Sequence, residues 1–474
     1  MNTSAVSPGR AGLLLLLSGQ MLPLIDTSIT NVALDAITHT LAASATQLEL
    51  IVALYGVAFA VCLAMGSKLG DNYGRRRLFM WGVALFGIAS LLCGMANSIG
   101  ALLAARTLQG AGAALIVPQI LATLHVTLKG PAHARAISLY GGIGGIAFIV
   151  GQMGGGWLVS ADIAGLGWRN AFFINVPICL LVLALSRRYV PETRRETPSR
   201  IDWQGTLYLA LILCCLLFPM ALGPELHWPL WLQLMLVAVL PLLFAMRQSA
   251  LRQQQRGDHP LLPPRLLQLT SIRFGMAIAL LFFSAWSGFM FCMALTMQEG
   301  LGMAPWQSGN SFIALGVAYF ISALYAPRLI ARYSMGRILL TGLAVQIAGL
   351  LLLCATFSRF GVATNALTLV PATALIGYGQ ALIVNSFYRI GMRDISASDA
   401  GAGSAILSTL QQATLGLGPA ILGSLFLALA RRGGNYPQAL IDFLLVEVAM
   451  MLLLGAIALW LRHHLNRQPA TVAS

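Results

Sequence analysis

Three ionisable residues stand in the middle of long apolar runs: Asp26, Arg106 and Glu447. A charge at the centre of a hydrocarbon span costs about 2.5–3.5 kcal/mol on insertion scales, so each needs a partner or a task in moving ions or protons. With a rise of ~1.5 Å per residue, Asp26 lies ~21 Å along a run starting near residue 12, or ~10 Å below the outer face. Arg106 lies ~12 Å below the same face along a run that starts near residue 98 and heads inward. The two depths agree. Two readings stay open: a mutually neutralising structural pair, or a titratable acid whose proton affinity is tuned by Arg106 and by bound cation. Glu447, ~15 Å into the last run, is open between a packed, hydrogen-bonded glutamate and a second proton or cation site. Glu49, Glu299 and Asp442 lie near run ends and are expected to be solvated.

A second constellation is Lys68-Leu69-Gly70-Asp71-Asn72-Tyr73-Gly74-Arg75-Arg76-Arg77, between two runs. Gly70 and Gly74 permit a tight, close-packed turn, and Asp71 can pair with Arg75 or cap a helix start. A basic short loop explains the arginines but not the Gly-Asp-x-x-Gly-Arg spacing, which is read as a gating loop built on Gly70, Asp71, Gly74, Arg75 and Arg76. Enzyme chemistry has no comparable basis. No H-E-x-x-H or G-x-S-x-G occurs, and the seven histidines sit at run ends, loops or tail. The seven cysteines fall in apolar runs without C-x-x-C or metal spacing, so they read as packing residues. No cofactor and no metal is expected.

The elements that must position these residues follow from composition. Of 474 residues, 58% are hydrophobic and 9% charged, against about 25% charged in a soluble domain. A soluble enzyme, a disordered chain and a nucleic-acid-binding domain are excluded together. Apolar stretches of about 20 residues, long enough to cross a bilayer, are placed near 12–34, 48–66, 78–96, 98–124, 136–160, 170–189, 205–222, 229–246, 272–296, 308–330, 338–357, 365–386, 404–430 and 438–461. The first run continues through Asp26 to Leu34 without a cleavage site, so it is read as retained. With the N-terminus inside, inner segments hold 24 Lys and Arg and outer loops hold four, with Arg106 inside a span. That split places both termini in the cytoplasm of an inner-membrane protein, and it accounts for the net charge of +14 without a nucleic acid.

The chain also repeats itself. Gly110-Ala111-Gly112-Ala113-Ala114-Leu115-Ile116-Val117 matches Gly377-Tyr378-Gly379-Gln380-Ala381-Leu382-Ile383-Val384 at an offset of 267, and Gly151 meets Gly418 at the same offset. Duplicated six-span halves are expected over residues 1–190 and 272–474, with two extra spans and their linkers over 191–271. Parallel six-span halves with substrate between them form the architecture of a secondary transporter.

The loop at Ser67–Arg77 resembles the signature G-x-L-x-D-x-x-G-R-[KR] of the major facilitator superfamily, with Ser67 in place of the opening glycine. Leu24-Ile25-Asp26-Thr27-Ser28-Ile29-Thr30-Asn31-Val32-Ala33-Leu34 is similar to the span-1 motif L-D-x-T-I-V-N-V-A-L-P of its fourteen-span drug:proton antiporters, with Asp35 at the proline. Arg106-Thr107-Leu108-Gln109-Gly110-Ala111-Gly112 resembles their R-x-x-Q-G-x-G. Trp168-Arg169-Asn170-Ala171-Phe172-Phe173-Ile174-Asn175-Val176-Pro177 and Asp202-Trp203-Gln204-Gly205 follow the same family's habits. The span-5 motif G-P-x-x-G-G appears as Gly151-Gln152-Met153-Gly154-Gly155-Gly156, its proline surviving only as Pro419 after Gly418.

The resemblance implies an all-helical facilitator fold of 6+2+6 spans and a non-enzymatic multidrug exporter of lipophilic, cationic compounds driven by inward proton flow. Proton coupling would fall to Asp26, Arg106 and Glu447. The substrate cavity would be lined by Thr27, Asn31, Gln109, Phe283, Trp286, Met290, Tyr378 and Gln380. Gly110, Gly112, Gly151, Gly155, Gly156, Gly418 and Pro419 would set helix packing. The expected partners are a small-molecule substrate, protons and the lipid bilayer. The chain is expected to be a monomer, with an accessory periplasmic or outer-membrane partner left open. Alternatives are a proton-linked exporter of one metabolite (a siderophore, amino acid or sugar) and a non-transporting membrane sensor. Reporter fusions at Ser474 and within the loop at 161–167 should report opposite compartments; matching signals would overturn the topology.

Overall fold

The computed structural model describes residues 8–194, 200–258, 260–395, 400–433 and 435–465, and all regular structure among them is helical. Thirteen helices are long and apolar enough to cross a membrane. We number the spans α1 (Gly9–Leu41), α2 (Ala45–Tyr73), α3 (Arg75–Met95), α4 (Ile99–Thr127), α6 (Gly167–Tyr189), α7 (Trp203–Leu226), α8 (Leu230–Gln255), α9 (Thr270–Gly300), α10 (Pro305–Ile330), α11 (Met335–Ala363), α12 (Ala366–Gly391), α13 (Ala402–Gly433) and α14 (Tyr436–Trp460). The remaining expected span is α5, built from Gly130–Ile149, a π-helical turn Val150–Gly154 and Gly155–Ala161. Many helices overhang the apolar runs, because polar ends continue the helix past the hydrocarbon; α1 extends seven residues beyond Leu34, to Leu41.

Polar caps mark where helices restart. Ser44 and Gln47 form a reciprocal capping box at the start of α2, and the Ser98 hydroxyl accepts from Ala101 N at the start of α4. Asp202 caps α7 by accepting from Gly205 N at 2.7 Å, and its carboxylate also takes Gln253 Nε2 at 2.7 Å and Leu261 N at 2.9 Å. That explains the Asp202-Trp203-Gln204-Gly205 pattern: one buried acid caps α7 and ties it to α8 and to the chain leading into α9.

The two copies of the glycine motif pack alike. A Cβ on Gly110 would meet the Tyr55 carbonyl of α2, and one on Gly112 would lie 2.8 Å from Phe86 N of α3. In the second copy, Gly377 faces the Leu315 carbonyl of α10 and Gly379 faces the Gly342 carbonyl of α11 at 2.7 Å. Gly151 seats α5 against Ile25 of α1, and Gly418 seats α13 against Ser284 of α9. Gly155 meets Ile29, again on α1, while Pro419 is buried and opens a π-helical turn in α13. Close backbone approach at small residues is how helices pack without a hydrophobic driving force.

Two seams join the halves. Gly56 of α2 and Gly416 of α13 touch backbone to backbone; a Cβ on Gly416 would lie 2.7 Å from Val57 N. On the other side, a Cβ on Gly156 of α5 would lie 2.5 Å from the Pro305 carbonyl of α10. Trp306 N donates to Ser160 Oγ at 3.1 Å, and the Trp157 and Trp306 rings lie 5.8 Å apart. These last contacts lie at the end of the bundle opposite the Gly70–Arg77 loop, here called the far end. It is closed. The extra helix α7 packs on α2 and on α13, over the first seam, whereas α8 packs mainly on α7 and turns Leu230, Val237 and Leu240 outward.

Gly416→Val should overpack the α2–α13 seam and lower stability by about 1–3 kcal/mol. Gly100→Ala, where a Cβ meets nothing within 4 Å, should be neutral to within about 0.5 kcal/mol. Thermal unfolding in detergent checks both.

Candidate functional site

The residues singled out by charge meet in one network inside the N-terminal half. Asp26 and Arg106 are 0% and 1% exposed. Asp26 Oδ2 accepts from Arg106 Nη1 at 2.5 Å, and Oδ1 accepts from Gln109 Nε2 at 2.6 Å and Asn175 Nδ2 at 3.0 Å. All three neighbours donate, so both Asp26 oxygens are satisfied as acceptors. Arg106 also gives Nη1 to Gln109 Oε1 at 2.6 Å and Nε to the Ile51 carbonyl at 3.0 Å, while its guanidinium lies 4.3 Å from the centre of the Tyr55 ring. Ser90 Oγ accepts from Gln109 Nε2 at 2.9 Å. Five spans (α1, α2, α3, α4 and α6) therefore share one buried ion pair.

The direction of this network matters. Every one of those partners belongs to the N-terminal half, so the Asp26 carboxylate points into that half rather than toward the other. Thr27, the next residue, is exposed, with its hydroxyl donating to the Pro23 carbonyl at 2.8 Å. Asn31 is buried and donates to the Thr27 carbonyl at 3.1 Å. Gln109, expected in the cavity, is 0% exposed and belongs to the Asp26 network. The helical phase decides it: three residues after Arg106 on α4, Gln109 shares its face. Asn175, Ser90 and Tyr55 were given no role from the sequence. For Asn175 the signal was an amide at mid-span depth inside a quoted motif.

In the Gly70–Arg77 loop, Asp71 and Arg75 pair across four residues. Asp71 Oδ1 takes Arg75 Nη2 at 2.5 Å and Nε at 3.1 Å. Arg75 N donates to the Thr193 carbonyl at 2.9 Å, and Arg76 N donates to Glu192 Oε1 at 3.0 Å. Gly74 has φ +108, and a Cβ there would lie 2.7 Å from Glu192 Oε1. Gly70 lies against Gln119 of α4, where a side chain would collide. The loop thus clamps the α2–α3 turn to the segment that leaves α6.

The C-terminal half contributes rings. Phe283 is buried and stacks on half-buried Trp286 with centroids 6.1 Å apart; Trp286 also lies 6.0 Å from Tyr319 of α10. Phe387 lies 5.0 Å from Phe283 and 4.8 Å from Tyr388. The Tyr388 hydroxyl bonds Gln411 Oε1 at 2.7 Å and Ser408 Oγ at 3.0 Å. Trp286, Tyr319 and Tyr388 are half-buried, whereas Phe283 and Phe387 are fully buried. Met290, also on α9, is buried. Tyr378 is half-buried against Ala326, Ile330 and Ile338, and Gln380 is 1% exposed with Oε1 unpartnered among the described residues.

The other acids separate. Glu447 is 2% exposed with Oε1 unpartnered among the described residues. Glu49, expected to be solvated, is instead 1% exposed, because α13 and α7 cover the far end of α2. Exposed Glu299 of α9 lies beside Asp35 and His39 of α1, with a side-chain oxygen or ring nitrogen of each within 4.8 Å of the others, so the halves also meet there at the far end. Asp442 is half-buried and accepts from Gln438.

Residues 16–419 match the family model described as Major Facilitator Superfamily. The chain belongs to the major facilitator superfamily. It is 32% identical over 432 residues to the probable actinorhodin transporter of Streptomyces coelicolor, covering 91% of this chain and 74% of that protein. It is 31% identical to the puromycin resistance protein pur8 of Streptomyces alboniger, covering 87% and 81%. It is 29% identical to the tetracenomycin C resistance and export protein of Streptomyces glaucescens, covering 89% and 76%. Among solved structures, a POT family transporter in complex with 5-aminolevulinic acid superposes with TM-score 0.69 at 12% identity, over 96% of this chain and 98% of that one. That likeness shows the fold. This facilitator is thus a multi-pass membrane transporter, not an enzyme, whose relatives are drug and antibiotic exporters of the fourteen-span group.

Arg106→Ala should leave an uncompensated buried carboxylate and cost about 3–5 kcal/mol. The double variant Asp26→Asn/Arg106→Gln, which removes both charges and keeps hydrogen-bonding groups, should lose less than Arg106→Ala alone. Detergent unfolding of the three proteins reads this coupling directly.

Proposed function

We propose that this chain exports lipophilic, flat compounds, cations included, from the cytoplasm in exchange for protons. The observation that carries the reading is the buried Asp26–Arg106 pair, a costly charge at mid-span depth on the first span of a facilitator. A carboxylate held by three donors gives up that geometry when protonated, so its occupancy can bias two arrangements of the N-terminal half. The rings of Trp286, Tyr319 and Tyr388 support the substrate class: they offer π faces to an aromatic or cationic ligand, with hydroxyl and amide groups between them. The exporters among the relatives point the same way.

The proposed cycle runs with the Gly70–Arg77 loop in the cytoplasm and the far end outside. Substrate binds from the cytoplasmic side while Asp26 is ionised. Residues 1–190 and 272–474 then rock as two bodies about the ring-lined site, with 191–271 riding on the α2–α13 seam. Outside, Asp26 takes a proton as substrate leaves, and Arg106 sets how readily it does so. Glu447, buried in the C-terminal half, is the second acid of this reading.

In proteoliposomes, an imposed pH gradient should drive uptake of organic cations and flat neutral dyes, and a protonophore should abolish it. Transport indifferent to the protonophore would sink proton coupling. Trp286→Ala should weaken binding by roughly 0.5–2 kcal/mol, a factor of about 2–30, with the larger loss for cations. Asp71→Asn should slow turnover while leaving substrate affinity within twofold (about 0.4 kcal/mol), because the loop lies far from the rings and acts on the exchange of states. Lost binding with an unchanged rate of exchange would remove the gate assignment.

A further inference from the structure

Glu49 is a buried acid that the cycle above does not use. It lies four residues into α2, 1% exposed, where three bodies meet: α2 of the N-terminal half, α13 of the C-terminal half and α7 of the central pair. Its Oε2 lies 2.9 Å from Ser424 Oγ, and the same Oγ lies 3.0 Å from the Met220 carbonyl oxygen of α7. A Cβ on Gly423 would sit 3.4 Å from Glu49 Oε1, in ordinary contact, and 3.0 Å from the Phe291 ring of α9.

The proton count at this junction is constrained. A serine hydroxyl carries one proton. The Met220 carbonyl would ordinarily accept from the amide four residues on, but that residue is Pro224, which has no N–H. This half-buried carbonyl, without its usual helical donor, takes the Ser424 proton. With that proton committed, Ser424 Oγ presents a lone pair to Glu49, and only a protonated carboxyl can bond to it. The chain then runs Glu49 O–H to Ser424 O–H to the Met220 carbonyl. The charged or titratable groups in electrostatic reach are Glu225 on α7, Arg431 on α13 and Cys292 on α9. Among the described residues none forms an ion pair with Glu49.

We propose that Glu49 is a proton-operated latch for the far end. Protonated, it joins both halves and the central pair through Ser424. Ionised, it would leave a lone carboxylate facing a lone pair in a seam it shares with the acid Glu225, and the halves part there to hydrate it. The proton goes to and comes from water on the far side. This rests on the transport reading above, which supplies the two states.

The test uses the full-length protein in nanodiscs, with spin labels carried by non-canonical amino acids at Ala164 and Val362, exposed far-end positions on opposite halves. The seven cysteines stay untouched. Pulsed electron resonance should show the native distance lengthening as pH is raised from 5 to 9. Glu49→Gln, whose amide still donates to Ser424 but cannot titrate, should keep the short distance throughout. Ser424→Ala, which removes the acceptor for the carboxyl proton, should move the transition to lower pH. A native protein without a pH-dependent distance, or Glu49→Gln with the native transition, overturns the latch. Should Glu49→Gln fail to purify, an unmoved transition in Ser424→Ala overturns it instead. Asp26→Asn separates the two claims: the latch requires the far-end response to persist there while proton-driven export is lost. Native export indifferent to a protonophore would count against the transport reading alone, and the distances would still decide the latch.

Discussion

The N-terminal half is organised around one buried ion pair. Asp26 and Arg106 would each be costly in hydrocarbon, and the structure offsets that cost by surrounding both with donors and acceptors from α1, α2, α3, α4 and α6. The glycines of α4 serve the same end: Gly110 and Gly112 bring α2 and α3 close enough to reach the pair. Truncating one partner strands the other, so this half is stable only as a complete network.

The duplicated half keeps the scaffold but not the counterpart of the Asp26–Arg106 pair. At the repeat offset of 267, Arg106 corresponds to Thr373 and Gln109 to Ile376, yet Gly377 and Gly379 pack α12 on α10 and α11 as their counterparts do in the first half. In place of an ion pair there are rings, with Phe283, Trp286, Tyr319, Phe387 and Tyr388 in mutual contact. The asymmetry fits a division of labour in which the first half carries the Asp26–Arg106 pair and the second offers the rings, with Glu447 as its one buried acid among the described residues. The two acids at the heart of the account also differ in surroundings: Asp26 is held by three donors, whereas Glu49 bonds, among the described residues, only to the Ser424 hydroxyl, which also contacts the Met220 carbonyl.

Much of this was legible in the sequence because it follows from length, period and depth. Twenty-residue apolar runs gave the spans, and the matched depths of Asp26 and Arg106 anticipated their contact. The spacing of Asp71 and Arg75 anticipated the four-residue pair in the loop. What was not legible depends on how elements meet. The burial of Glu49 is created by α13 and α7, far away in sequence, and a residue four positions from a helix start looks solvated until they are in place. Gln109 was assigned to the cavity because its span lines one, but one span has two faces, and its phase with Arg106 turns it inward. The role of Pro224 is visible only once Ser424 stands beside Met220.

The central claim is that the carboxylate of Asp26 changes protonation as substrate binds and leaves. Purified protein in weakly buffered detergent, mixed with a transported compound, reports this through a pH-sensitive dye. Native protein should release protons in proportion to bound substrate when mixed at a pH where Asp26 is partly protonated, and Asp26→Asn should bind the same compound with little release. Release from Asp26→Asn equal to that of the native chain would contradict the account.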